Sequence, residues 1–316
     1  MRLLLLSPNT IRAWNWGHQL FRDEIGRHAD TTYVGHGHPH SAASLGSSDL
    51  PYIIDRLGPF DAVISYDGKY CGMYSGWDAV TIPKICIMVD YFDRNAQHPT
   101  INPFVCTGGF DLVVLRAPYC EIVFNRSKKH GQIPAKTKST IIPFGADVHQ
   151  YRRPTDQLER DIDVTFIGAT LAWAYPARVS VANLVRSMRG RNTLVAGTGS
   201  RDRILHRRYV DVLHRSKIFV IANGVYNCVT FKYYEAMICG AVVLAQKPRD
   251  AEFYGFKHLT NIVYYDIENG IMSLVNLLLD DTKLLNKIAD NAFNFIMHDH
   301  TMAHRVQLLL KEIQKL

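Results

Sequence analysis

Lys232 and Glu235 stand one helical turn apart in the stretch Asn227-Cys-Val-Thr-Phe-Lys-Tyr-Tyr-Glu-Ala-Met-Ile-Cys-Gly240. Thr230 suits an N-cap and Gly240 a helix end, so the spacing predicts a short helix between them that feeds a buried strand over 241–245. A helix that starts in a loop after one strand and leads into another has its N-terminus at the carboxyl edge of a parallel sheet, where such sheets bind ligands. The free N–H groups of its first turn, the positive end of its dipole and Lys232 together suit a phosphate or diphosphate. Glu235 would repel phosphate, but one turn further in it can accept hydrogen bonds from neutral hydroxyls such as a ribose diol.

The run Lys232-Tyr-Tyr-Glu-Ala-Met-Ile-Cys-Gly-Ala resembles the R-x-x-E-A-x-x-x-G core of GT-B glycosyltransferases, and within them the group 1 enzymes that include the CgeB-like, spore-maturation-type branch. Ile141-Ile-Pro-Phe-Gly-Ala-Asp147, Ile162-Asp-Val-Thr-Phe-Ile-Gly168 and His300-Thr-Met-Ala-His-Arg305 fall in the same family's order. Asn227 stands where the wider family carries a first Glu, so one sugar contact is changed or lost. Lys232 replaces the family Arg, which keeps the charge and gives up the bidentate fork. The resemblance implies an α/β GT-B fold, two Rossmann-like domains whose parallel sheets face each other across a cleft, with donor in the second domain and acceptor in the first. It implies a glycosyltransferase that moves a sugar from a nucleotide sugar to an unidentified acceptor hydroxyl, with retention, no cofactor and no essential metal. Gly168, Arg178, Asn227, Thr230, Lys232 and Glu235 are the donor-binding residues it points to. Asp90, His18 and Asp67 would polarise the acceptor hydroxyl or hold the donor sugar, and Trp16, Gly17, Tyr66 and Asp93 would line the acceptor side. Two other readings stay open: a GT-B-like sugar-nucleotide enzyme of epimerase-like chemistry, and a DNA-modifying glycosyltransferase acting on hydroxylated bases. A binding module that had lost catalysis would be marked by loss of Lys232 or Glu235, and both are present.

The elements needed to position these residues are written along the chain. Its 316 residues, 47% hydrophobic and 21% charged, suit two globular domains and exclude a disordered or fibrous protein. Strand patterns recur with helix patterns between them, the spacing of βαβ units. In the first half they cover 2–7, 31–34, 61–65, 84–89, 111–115 and 140–142; in the second, 163–167, 193–196, 218–222, 241–245 and 262–265. The loop 9–18, then Tyr66-Asp67 and Asp90-Tyr-Phe-Asp93, fall at strand ends on one edge. Residues 1–147 read as the first domain, 148–162 as an exposed linker, and 163–298 as the nucleotide-sugar domain. The ending, 299–316, reads as a helix that crosses back to the first domain. Asp90 and Asp93 could also be read as a metal-binding pair, but the order of strands and linker argues against the fold that uses one. Gly35-His-Gly-His-Pro-His40 sits in a loop, where alternate histidines do not share one face, so no metal site is expected.

Met-Arg-Leu-Leu-Leu-Leu-Ser at the start has too short an apolar run for a signal sequence and reads as a first strand. No stretch approaches the ~18 apolar residues of a membrane span. The six cysteines form no C-x-x-C pair and read as reduced core thiols, which suggests the cytoplasm. The net charge of +7 favours anionic partners, nucleotide sugars, nucleic acid and membrane surfaces alike. Arg126, Lys128, Lys129, Lys136 and Lys138 cluster without an acid in the first domain, and Arg201, Arg203, Arg207, Arg208 and Arg215 form a second group. They raise a polyanionic acceptor, an anionic glycan or nucleic acid, beside the neutral glycan. Trp14, Trp16, Tyr66 and Tyr70 could stack on a base or a sugar.

Overall fold

The structure is a computed structural model that describes residues 1–9, 16–88, 109–153, 159–197, 204–224, 227–266 and 270–316, with only the backbone described at Trp16 and at residues 68–70. The chain divides into two compact units, Met1–Pro143 with Arg305–Leu316, and Phe144–His304.

In the first unit the described elements are β1 (Arg2–Leu6), α1 (Trp16–His28), β2 (Asp30–Val34), α2 (Ala42–Leu45), α3 (Leu50–Leu57), β3 (Ala62–Tyr66), β4 (Lys84–Ile87), β5 (Leu112–Leu115), α4 (Pro118–Lys129) and β6 (Lys138–Ile141). The strands form one parallel sheet in the order β2-β1-β3-β4-β5-β6. Leu3, Leu4, Leu5 and Leu6 have no exposed surface, as strands covered on both faces require. Each such side chain contributes roughly 1.5–3 kcal/mol of burial. Gly35, after β2, has φ 156°, and a Cβ there would lie 2.2 Å from the Ser7 carbonyl oxygen, so only glycine lets these two strand ends approach.

The second unit contains α5 (Val148–Tyr151), β7 (Ile162–Gly168), α6 (Pro176–Arg186), β8 (Thr193–Gly197), α7 (His206–Arg215), β9 (Ser216–Ile221), α8 (Phe231–Ile238), β10 (Val242–Gln246), β11 (Val263–Tyr265), α9 (Ile271–Asp280) and α10 (Thr282–Asp299). A last helix, α11, spans Met302–Ile313. The sheet is parallel in the order β11-β10-β9-β7-β8. From β7 the chain moves outward to β8, then returns past β7 to β9, so the strand order reverses between β7 and β9. That reversal opens a crevice at the strands' carboxyl ends. Val164, Phe166, Val220 and Leu244 pack with Val185 of α6, Leu278 of α9 and Ile288 of α10 in one apolar core.

The break between the two units falls at Pro143/Phe144, and the described part of 148–162 is exposed at His149, Gln150, Arg152, Glu159 and Asp161 but anchored to the second unit at other positions. Tyr151 is buried and packs edge-on against Tyr209. Arg160 donates to the carbonyls of Ser216 and Cys239 at 2.6 and 2.7 Å, and Arg153 donates to Asp290 at 2.7 Å. Polar composition suggested solvent, but these arginines are spent on fixed acceptors. The Phe144-Gly-Ala-Asp147 run and the His300-Thr-Met run, quoted as separate family pieces, meet: the Ala146 N–H donates to His300 at 3.0 Å, and the Met302 N–H donates to Ala146 at 2.8 Å.

Candidate functional site

Helix α8 is built much as its sequence suggests. Thr230 occupies the N-cap position, although its hydroxyl makes no capping bond. At the far end Gly240 has φ 80°, its N–H donates to Met237 at 2.9 Å, and the Ala241 N–H donates to Ala236 at 3.0 Å. These two bonds form a Schellman close. A Cβ on Gly240 would lie 2.5 Å from the Arg160 guanidinium, a second reason for glycine.

The β7/β9 reversal holds a pocket of about 330 Å³, counted with the solvent at its mouth. Gly168, Asn223, Gly224, Arg178, Thr230 and Lys232 contribute to its wall. Lys232, from the first turn of α8, donates to the Ile167 carbonyl at 2.5 Å. A Cβ on Gly168 would lie 3.7 Å from its ammonium, in ordinary contact, and 3.3 Å from the Phe166 ring. Arg178, from the first turn of α6, donates through Nε to the Ala222 carbonyl at 3.1 Å and lies 4.3 Å from the Tyr175 ring centre. A Cβ at Gly224 would lie 3.1 Å from its guanidinium. Burial, reinforced by the Arg178 charge, pushes Lys232 down to about 8. Burial also lowers the Arg178 guanidinium. Among the described residues neither cation has a carboxylate within ion-pair distance. Two partly desolvated cations, each donating to a backbone carbonyl and lying beside a helix N-terminus, make an arrangement that can receive an anionic group.

Asn223 braces this wall. Its Nδ2 donates to the Gln246 carbonyl at 2.9 Å and to Oδ1 of Asn227, and its Oδ1 accepts from the Tyr233 hydroxyl at 2.5 Å. Asn227 donates onward to the Lys247 carbonyl at 3.3 Å and has φ 51°. Asparagine tolerates that left-handed backbone better than most residues, a physical reason for Asn at 227. Both ends of its amide are occupied by protein groups.

Glu235 is the main departure. It is 5% exposed, lies outside the pocket wall, and accepts the Tyr209 hydroxyl at 3.0 Å, with the Tyr151 hydroxyl as a second donor. Burial raises its carboxyl above the usual range, opposed by those tyrosine hydrogen bonds and Lys232. Burial and the Glu235 charge raise Tyr209 as well, so the phenol keeps its proton and donates. The expected preference for neutral hydroxyls is present, but the chain's own tyrosines meet it. Three positions from Lys232 along the helix is enough rotation to turn Glu235 toward α5 and α7.

In the first unit, His18 lies in the first turns of α1, which begins at Trp16 and so takes in Gly17, read from the sequence as loop. Its Nδ1 is 3.1 Å from the hydroxyl of buried Tyr66. Asp67 follows at the end of β3 with φ 77°, and its N–H donates to Ile87 at 2.8 Å. The structure therefore brings together His18, Tyr66 and Asp67. Arg22 lies 5.1 Å from the Tyr66 ring centre, and Arg116, just past β5, donates to Ile142 at 3.1 Å. Both arginines were missed in the sequence; a charged residue directly after Leu-Val-Val-Leu was the available signal. Asp90 and Asp93, with Trp14, Arg201 and Arg203, lie outside the described residues, as do the side chains of Trp16 and Tyr70. His38 stacks on Tyr33 with ring centres 5.2 Å apart.

Residues 155–311, just under half of the chain, match the family described as Glycosyl transferase-like. No curated protein matches. The fold is that of solved GT-B enzymes. Anabaena HepE, solved with UDP, superposes with a TM-score of 0.73 at 13% identity over all of both chains. Its UDP-glucose complex superposes with a TM-score of 0.72 at 13% identity over all of both chains. Sucrose-phosphate synthase from Thermosynechococcus elongatus gives 0.61 at 11% identity, over 100% of this chain and 98% of that one. A glycosyltransferase from Rickettsia africae gives 0.62 at 10% identity, over 99% and 98%.

Proposed function

We propose, for a chain that is a glycosyltransferase by its family domain and GT-B by its fold, that it transfers a sugar from a UDP-sugar to an acceptor hydroxyl. The observation that carries this reading is the convergence of Lys232 and Arg178 on the β7/β9 pocket, each donating to a backbone carbonyl and neither paired with a carboxylate among the described residues. When the sugar–phosphate bond breaks, negative charge grows on the leaving diphosphate. Fixed cations and helix N–H groups stabilise that charge without solvent rearrangement. The pair supplies the positive charge that a divalent ion would otherwise bring, so turnover is metal-independent in this account. UDP is the nucleotide of choice because HepE was solved with it at the same fold. Retention of configuration and the CgeB-like branch rest on the motif resemblance.

On the acceptor side, His18 is the group best suited to polarise a hydroxyl, because Tyr66 fixes its ring through Nδ1. The acceptor in this reading is a glycan or small hydroxyl compound.

The test is a UDP-release assay on a panel of UDP-sugars, with and without candidate acceptors, in excess EDTA. Acceptor-dependent UDP release that EDTA leaves unchanged is expected. Abolition by EDTA with rescue by manganese would move the diphosphate site to a metal. Turnover of the UDP-sugar with no acceptor and no UDP release would favour the epimerase-like alternative.

A further inference from the structure

The basic run of the first unit lies where an acceptor subsite would not be. Helix α4 starts beside the carboxyl end of β5 and runs back, so Lys129 and the beginning of β6 at Lys138 stand at the amino edge of the sheet. His18, Tyr66 and Asp67 stand at the carboxyl edge. A helix of 12 residues separates the two edges by about 18 Å. Whatever the cations hold is therefore recruited to the protein rather than positioned for transfer.

Their setting says what kind of partner fits. Lys128 is spent on the Thr137 carbonyl at 2.9 Å. Arg126, Lys129, Lys136 and Lys138 are exposed, and none belongs to an ion pair among the described residues. Ile122, Arg126 and Lys129 follow at i, i+4 and i+7, one stripe of α4, and Ile122 is 59% exposed. Glu121, the only acid of α4, lies about 100° round the helix from Ile122. Among the described residues no exposed Trp, Tyr or Phe lies in this run, and the one exposed ring beside the cations is the small imidazole of His130, so the patch offers phosphate contacts with little platform for stacking bases. An exposed apolar side chain in line with two cations on one helix stripe, with Lys136 and Lys138 beyond the helix end, is suited to a lipid interface.

We propose that this face docks the protein on an anionic lipid surface, with Ile122 entering the interface and Arg126, Lys129, Lys136 and Lys138 meeting the headgroups.

The test is co-sedimentation of the full chain with phosphatidylcholine vesicles, with and without phosphatidylglycerol, beside a mixed-sequence DNA duplex. Binding to anionic vesicles, absent on neutral ones, is expected. Each cation removed should cost about fivefold in partition, so the triple substitution Arg126→Gln, Lys129→Gln, Lys136→Gln should cost about 100-fold. Ile122→Ser should weaken vesicle binding several-fold and leave any DNA binding unchanged. All four positions are exposed, and matching thermal melts would show that the variants fold. No binding to anionic vesicles, or binding indifferent to the triple substitution, would overturn the proposal. DNA binding with vesicle binding that ignores Ile122→Ser would assign the patch to a nucleic acid instead.

Discussion

Lys232 of α8 donates to a single backbone carbonyl and faces a pocket, whereas Glu235, one turn on, is closed in by the hydroxyls of Tyr209 and Tyr151. Glu235 is taken from water and Lys232 is partly so. The carboxylate receives neutral donors that satisfy it within the fold, while the ammonium keeps a second cation, Arg178, as its neighbour. A buried charge with good partners is compatible with stability, whereas one beside a like charge costs stability until a ligand arrives. Two charged residues one turn apart thus have different settings: Glu235 ties α8 to α5 and α7, and Lys232, in the proposed reading, is held for an anion.

The largest effect that would sharpen this contrast is at Lys232. Replacing it by Met should weaken UDP binding roughly 10- to 150-fold, the loss of one charge-assisted hydrogen bond of about 1.5–3 kcal/mol. Calorimetric titration measures it, and an unchanged affinity would make Lys232 a structural residue. Glu235→Ala should act mainly on the fold. It strands two buried phenols, at roughly 1–3 kcal/mol for each unsatisfied group, and should lower the melting temperature. At temperatures well below that melt, UDP affinity should fall less than in Lys232→Met. The reverse order would place Glu235 on the ribose.

Protonation offers a third handle. Lys232 titrates at about 8 in the folded chain against an ordinary value of 10.5, so it loses its charge as pH rises through 8. UDP affinity should decline above that pH, by up to about tenfold per unit for one proton. The sign for stability is opposite: between about 8 and 10.5 the unfolded chain holds a proton that the folded chain has released, so folding gains as pH rises. The smallest effect belongs to Tyr209→Phe. Losing one hydroxyl to Glu235 should cost about 1 kcal/mol in a denaturant melt and leave UDP binding nearly unchanged.

How much of this was written in the sequence depends on the kind of signal. The strands were legible because parallel sheets bury both faces and leave apolar runs such as Leu3–Leu6 and Val242–Ala245. The end of α8 at Gly240 was legible because its left-handed backbone and the Arg160 guanidinium leave room only for glycine. The direction of a helix residue was not: 232 and 235 differ by 60° around the axis, and only the packing of Tyr209 and Tyr151, far away in sequence, decides which one meets the pocket. What Asn223 binds was hidden for the same reason, since its partners Gln246 and Tyr233 come from other elements. In the run 148–162 polar composition marks the exposed positions, such as Arg152 and Asp161, but not the anchors: Arg160 serves two carbonyls at the end of α8 and the start of β9.

The central claim is that Lys232 is kept at a cost to the empty protein for the sake of a diphosphate. Thermal melts of wild type and Lys232→Met, each with and without UDP, test it in one experiment. Without ligand the Met variant should be the more stable by about 1–2 kcal/mol, because a desolvated ammonium beside Arg178 is gone. With UDP at about 100 times its Kd, wild type should gain ~2.7 kcal/mol and the variant much less. A variant that is less stable when empty, or that gains as much from UDP as wild type does, would contradict the account.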